Sequence, residues 1–369
     1  MGFSIPTQAW KSNRRKIHSL LTQSKFQLFL ENSKEGGQLP YSGSGLLSQQ
    51  ATEYDLQDVL HRFSFNNMCL IVLGFDPQSL SFQFSKVAVK NAFNVLEEIV
   101  FIRHMVPRSI WKLQRWLQIG QEKRLTQAQI IVDQFLYERN RCSEDDHLIT
   151  AYIEEEEKEQ KGHKFVRDSA FSLLAAGRAT LSATLTWFFW IVATHPSVEA
   201  KILEEIKANL GSKEADWRIL GINNEVGKQV YLHAAICESL RLFLPIPYLH
   251  LCATNPDILP SGHPINLNTK IFYYLYAMGR VEETCGEDCL EFKPERWIGE
   301  GGGIKNIPSY KFITFSSGSS TSLGKDMGII EMKMVATSMI WNFHIKVLEG
   351  HPVSPSIFCC TSYGTKPQA

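Results

Sequence analysis

Residues 165–194 constrain this chain more than any other segment. They read as one long helix, interrupted in character at Ala175-Ala176-Gly177 and closed by His195-Pro196, because proline disfavours helix at the residue before it. The C-terminal part, LSATLTWFFWIVAT over residues 181–194, is the most apolar stretch of the sequence. It is shorter than the roughly 20 residues that a bilayer span needs, and Arg178 lies just upstream. A helix of this kind has to be covered by protein, so it is expected in the core of a large helical domain.

The rest of the sequence supplies partners for it. Helical spacing recurs near residues 8–31, with Trp10, Ile17, Leu20, Leu21 and Leu28 in period, and again near 53–73, 84–100, 121–141 and 144–161. Further helices are predicted over 197–210, 231–244 and 325–341, with β-like pieces such as 271–276 between them and an extended tail after the last. Residues 36–48 read as a Gly/Ser/Pro loop, and Glu154 to Glu157 as a solvated helix face. The fold class is therefore mainly α. With 369 residues, 44% of them hydrophobic, and neither an internal repeat nor a clear linker, a single domain over residues 1–369 is expected.

Charge removes one class of function. Lys+Arg and Asp+Glu balance at 38 each, which leaves no basic field to hold nucleic acid. The eight cysteines have no C-x-x-C spacing of a zinc site, and a reduced, cytosol-facing chain is the simplest reading. The opening MGFSIPTQAW carries no apolar run of the signal-peptide or anchor type, so no membrane anchor is expected in this chain.

Glu238 and Arg241 stand three residues apart on a predicted helix and can pair on one face. Arg296, in Pro294-Glu295-Arg296-Trp297, is a second arginine able to share the carboxylate of Glu238 in a buried network. The role of these three is structural.

ESLRLFLPIP, YAMGR, FKPERW and SYKFITFSSGSSTSLGKDMG occur here in an order and spacing that resemble the cytochrome P450 family. DLQDVLHRFSF, GFDPQSL, LTWFFWIVATHP, GEDCLEF and IEMKMVA are similar to its plant branch that hydroxylates long fatty acids and alkanes. The resemblance runs from Trp10 to about Gly350. It implies the P450 fold, a large helical domain with small β-sheets, and heme b as cofactor. It also implies NADPH supplied through a reductase partner, a long-chain lipid substrate and work at the endoplasmic reticulum membrane surface. Measured against the family pattern, the membrane anchor, the first helices and part of the small sheet are expected to be absent.

Residue by residue, Trp10 and Arg14 resemble the family's W-x-x-x-R helix, where indole and guanidinium face a heme propionate. Gly177 and Thr180 fall in the distal-helix motif, glycine opening a groove for dioxygen, and the acid of the family's acid-threonine pair is replaced by Ala179. The heme loop F-x-x-G-x-R-x-C-x-G maps onto Phe315, Gly318, Ser320, Ser322 and Gly324. Ser320 stands where the resemblance implies an arginine, and Ser322 where it implies the iron-ligating cysteine, whose thiolate favours O–O cleavage. Cys285 stands where that branch has tryptophan. His250 reads either as a propionate contact or as an ordinary half-buried histidine, and Phe243, Leu244, Ile246 and Leu249 as core or as substrate channel. Two functional readings follow. One is a heme-dependent monooxygenase acting on long-chain fatty acids or alkanes, impaired in this chain; the other is a catalytically dead pseudoenzyme or gene remnant with a binding or regulatory role.

Overall fold

The structure, a computed structural model, describes residues 55–77, 79–80, 87–140, 163–210, 225–351 and 353–354, together with 14, 15, 17–19 and 21. Trp10, the loop at 36–48, the predicted helix at 144–161, and Cys142, Cys359 and Cys360 lie outside the described residues. Residues 14, 15, 17–19 and 21 are helical, within the first predicted helix.

The architecture is mainly α. Helices α1 (Leu56–Leu73), α2 (Val87–Met105), α3 (Arg108–Leu117) and α4 (Gly120–Asn140) precede the long α5 (His163–Thr194) and α6 (Pro196–Leu210). After them come the short α7 (Glu225–Lys228), then α8 (Val230–Leu242). Strands β1 (Leu249–Cys252), β2 (Asp257–Ile258), β3 (Pro264–Ile265) and β4 (Lys270–Tyr273) follow. The turns α9 (Leu275–Met278) and α10 (Glu282–Cys285) lead to α11 (Lys325–Asn342). Strand β1 pairs antiparallel with β4, setting His250 opposite Phe272, and β2 pairs with β3. Residues 271–276 therefore divide between a strand and the start of α9, where Tyr274 ends the extended backbone.

The central helix is covered as its apolar character requires. Leu185, Phe188 and Phe189 of α5 share one core with Ile202 and Ile206 of α6, Leu232, Ile236 and Leu240 of α8 and Ala336 and Ile340 of α11. Ala170 and Leu174, nearer its N-terminus, share a second core with Phe65 and Met68 of α1, Phe93 and Ile99 of α2, and Val132 and Leu136 of α4. Helix α1 is closed at both ends: Asp55 caps it by accepting from the Asp58 N–H at 3.1 Å, and Gly74, at φ 71°, returns its N–H to Leu70 at 3.0 Å. No helix among the described residues is long and apolar enough to cross a membrane.

Helix α3 lies outside the helices predicted from sequence. Pro107 precedes it, it spans ten residues, and none of them is buried. Its apolar residues fall on one face with clear helical period, and only its length of ten residues after Pro107 counted against it.

Helices α1 and α5 also share polar contacts. His61 of α1 meets the hydroxyl of Ser182 of α5 at 2.9 Å through its Nδ1. Burial first, then the nearby Arg178 and Lys90, pushes the imidazole down to about 3. Its folded value lies below its unfolded value, so the unfolded chain takes up the proton first. The stability that neutral His61 contributes is thus complete above about pH 6.5 and drains as pH falls toward 3. Melting curves at a series of pH values should show stability falling on acidification through this window, and His61→Gln should flatten that slope.

Candidate functional site

Glu238 of α8 is fully buried, and its carboxylate accepts from five donors. Arg241 Nε and Nη2 donate at 2.8 Å each, Arg296 Nε at 3.2 Å, the Lys293 backbone N–H at 3.0 Å and the Trp297 indole N–H at 2.8 Å. Arg241 continues outward, donating to the backbone carbonyls of Gly279, Cys289 and Glu291. Arg296 also reaches Asp288 Oδ1 at 2.7 Å, and hydrogen bonds from Lys293 and Arg296 bring the Asp288 carboxyl down to about 2. Gly279 has no room for a side chain, since a Cβ there would stand 2.3 Å from the Arg241 carbonyl oxygen. Trp297 was legible as an aromatic neighbour of Arg296 but not as a donor to Glu238.

The framework leads to the loop. Trp297 meets Phe312 edge-on at 4.5 Å between ring centroids, and Phe312 faces Phe315 at 6.4 Å. From Phe315 the backbone turns through two left-handed positions, Ser316 at φ 62° and Gly318 at φ 60°. The Ser322 N–H then donates to the Phe315 carbonyl at 2.8 Å, closing the loop before Gly324 and α11. The Arg14 guanidinium donates to the Thr321 carbonyl. Ser320 and Ser322 are exposed.

On α5, Thr180 turns its hydroxyl back to the Ala176 carbonyl at 2.6 Å. Ala176 is exposed and Thr180 half-buried, so this face of the turn is open, whereas Arg178 and Ala179 are buried on the other side. Gly177 lies against α1, where a Cβ would meet the Met68 side chain.

Behind the turn lies a buried ion pair that motif reading missed. Arg178 is fully buried, and its Nη2 donates to Asn94 Oδ1 and Glu97 Oε2 of α2 at 2.8 Å each. Its guanidinium lies 5.5 Å from the Phe93 ring. Burial pushes the Glu97 carboxyl up, against the pull of Arg178. Asn94, Glu97, Phe101 and His104 follow helical period along α2, the one signal that could have grouped them.

His250 stacks on Phe272 at 5.1 Å and meets the ring of His104 at 5.3 Å. Leu244 is buried, while Phe243, Ile246 and Leu249 are half-buried. Phe243 stacks on Trp187 at 4.2 Å with the rings nearly parallel.

The ordered framework, the loop and the helix behind them match known proteins. A family model for cytochrome P450 covers residues 3–362, and the chain belongs to that family. It is 37% identical to the alkane hydroxylase MAH1 of Arabidopsis thaliana over 98% of this chain and 75% of the relative. It is 35% identical to noroxomaritidine synthase 2 of Narcissus pseudonarcissus over 96% of this chain and 72% of the relative. Cytochrome P450 86B1 of Arabidopsis thaliana is 33% identical over 96% of this chain and 67% of the relative. Membership implies a heme and an electron-donating reductase.

The residues present do not fit a heme held through a thiolate. The loop backbone forms a cradle, but its hydrogen-bond closure stands on the neutral hydroxyl-bearing Ser322, and no cysteine occurs between Cys289 and Cys359. Cys237 of α8 is buried in a small core with Ala234 and Trp297.

Replacing Glu238 by Gln leaves two guanidinium groups facing a neutral amide in the interior. It should lower stability by about 3–5 kcal/mol, read as a large drop in melting temperature. An unchanged melt would show that the network contributes little.

Proposed function

We propose that this chain keeps the framework of a plant long-chain fatty-acid or alkane hydroxylase as a single domain over residues 1–369, without that framework's heme-thiolate chemistry. The observation that carries the reading is the serine at 322, in the closed loop that follows Phe315. A thiolate pushes electron density toward iron and favours O–O cleavage, and a neutral hydroxyl does neither. Support for the substrate class comes from the 37% identity to an alkane hydroxylase. Two further positions point the same way. Ser320 offers no guanidinium to a propionate, and Ala179 no proton to Thr180. On this reading an NADPH-linked reductase and the membrane surface are partners of the framework's ancestry, and the present role is binding or regulatory.

The test is a reduced, CO-bound difference spectrum of the full chain supplied with hemin, beside Ser322→Cys. The chain as it stands should give no red-shifted thiolate-type Soret band, and Ser322→Cys should restore one. Such a band from the unaltered chain overturns the reading.

A further inference from the structure

We propose that the cavity where α2, α3 and α4 meet binds a phosphate ester. The inference is independent of the chemistry at residue 322. Pro107 opens α3 just after α2, and two left-handed positions, Gln118 at φ 51° and Gly120 at φ 56°, turn the chain into α4, so three helix ends converge. The cavity between them has a volume of about 360 Å³. Its walls carry Arg103 of α2, Arg115 of α3, Gln118, and Glu122, Thr126 and Gln129 of α4. The surrounding stretch is basic in a chain that is otherwise balanced: residues 103–124 hold six Lys or Arg and a single acid, Glu122.

The charges in the walls are arranged for an anion. Glu122 is buried, and both of its oxygens are engaged by Arg103, through Nε at 2.7 Å and through Nη2. The ring of Trp111 lies 4.8 Å from the same guanidinium and holds it from a second direction. Nη1 of Arg103 is left without a partner among the described residues, as are the guanidinium of Arg115 and the side-chain amide of Gln129. Two arginines against one glutamate give the walls a positive balance, which disfavours a cation. Guanidinium forks and amide N–H groups suit the three terminal oxygens of a phosphate ester better than the two of a carboxylate. The volume falls within the range of about 300–1,000 Å³ that small-molecule sites occupy, which leaves room for the organic part of the ester. A soluble phosphate ester and the headgroup of a phosphatidate offer the same chemistry, and the test separates the two.

The experiment titrates the full chain with glycerol 3-phosphate and with acetate by calorimetry. In parallel it uses phosphatidylcholine vesicles that carry either phosphatidate or phosphatidylglycerol at matched surface potential. The phosphate monoester should bind about tenfold tighter than its control in at least one of the two pairs. Arg115→Gln should weaken that binding about tenfold, and Gln129→Leu about threefold. Lys112→Gln, on the same helix as Arg115 but outside the cavity walls, should change it by less than about twofold. All three positions are exposed, so the variants should melt as the unaltered chain does. A preference for phosphatidate that depends on Arg115 assigns the site to a lipid headgroup, and the same dependence with glycerol 3-phosphate alone assigns it to a soluble ester. Equal weakening by Arg115→Gln and Lys112→Gln marks a diffuse basic surface and overturns the proposal. Absence of a monoester preference in both pairs, or a preference that survives both Arg115→Gln and Gln129→Leu, overturns it as well.

Discussion

The carboxylate of Glu238 is the charge on which this half of the molecule depends. Fully buried, it is tolerable only because five donors converge on it from α8, from the 3-10 turn Pro294–Trp297 and from the Lys293 backbone. The donors join α8 to the segment at 293–297, and Arg241 adds three backbone carbonyls between residues 279 and 291. A long irregular stretch, with little regular secondary structure to hold it, is thereby held by side chains. The constraint passes through Trp297 and Phe312 to Phe315, where the loop begins. The loop closes through the backbone N–H of residue 322 and the carbonyl of residue 315. None of these contacts uses the side chain at 322, so the loop conformation is independent of what that residue could ligate.

A second constraint acts on the distal side. Arg178 and Glu97 draw α5 and α2 together, while Met68 against Gly177 and His61 against Ser182 fasten α1 to the same helix. The turn that carries Thr180 is therefore fixed from behind, leaving Ala176 and Thr180 on the open side. Helix α2 extends this fastening, since the residues that follow Glu97 in helical period, Phe101 and His104, meet Tyr248 and His250. One helix thus connects the buried ion pair of α5 to the small sheet.

The long helices were legible because their apolar residues recur with helical period over many turns and because prolines mark their ends, as at 196. Glu238, Arg241 and Arg296 were legible because an i, i+3 pair and a nearby arginine suggest a shared carboxylate. Helix α3 was passed over for its length of ten residues, although its apolar residues share one face. The pair of Arg178 and Glu97 was not, since 81 positions separate them and a lone arginine in an apolar helix gives no hint of its partner. The neighbour of Gly177 was not legible for a related reason. Sequence shows that a glycine leaves space, and only packing shows that Met68 takes it.

The positions that carry framework and those proposed to carry chemistry differ in what substitution does to stability. At Glu238 any loss strands arginines in the interior, so change there runs against folding. At 179 the side chain is nearly fully buried, and a carboxylate would have to be desolvated, so alanine relieves the fold of a burden. At 320 and 322 the side chains are exposed, and serine disturbs no core contact. Groups that serve a reaction are commonly held at some expense to stability, and without demand for the reaction their replacement proceeds freely or downhill. Substitution is thus costly at Glu238, Arg241 and Arg296, which share buried charge, and cheap at the exposed Ser320 and Ser322.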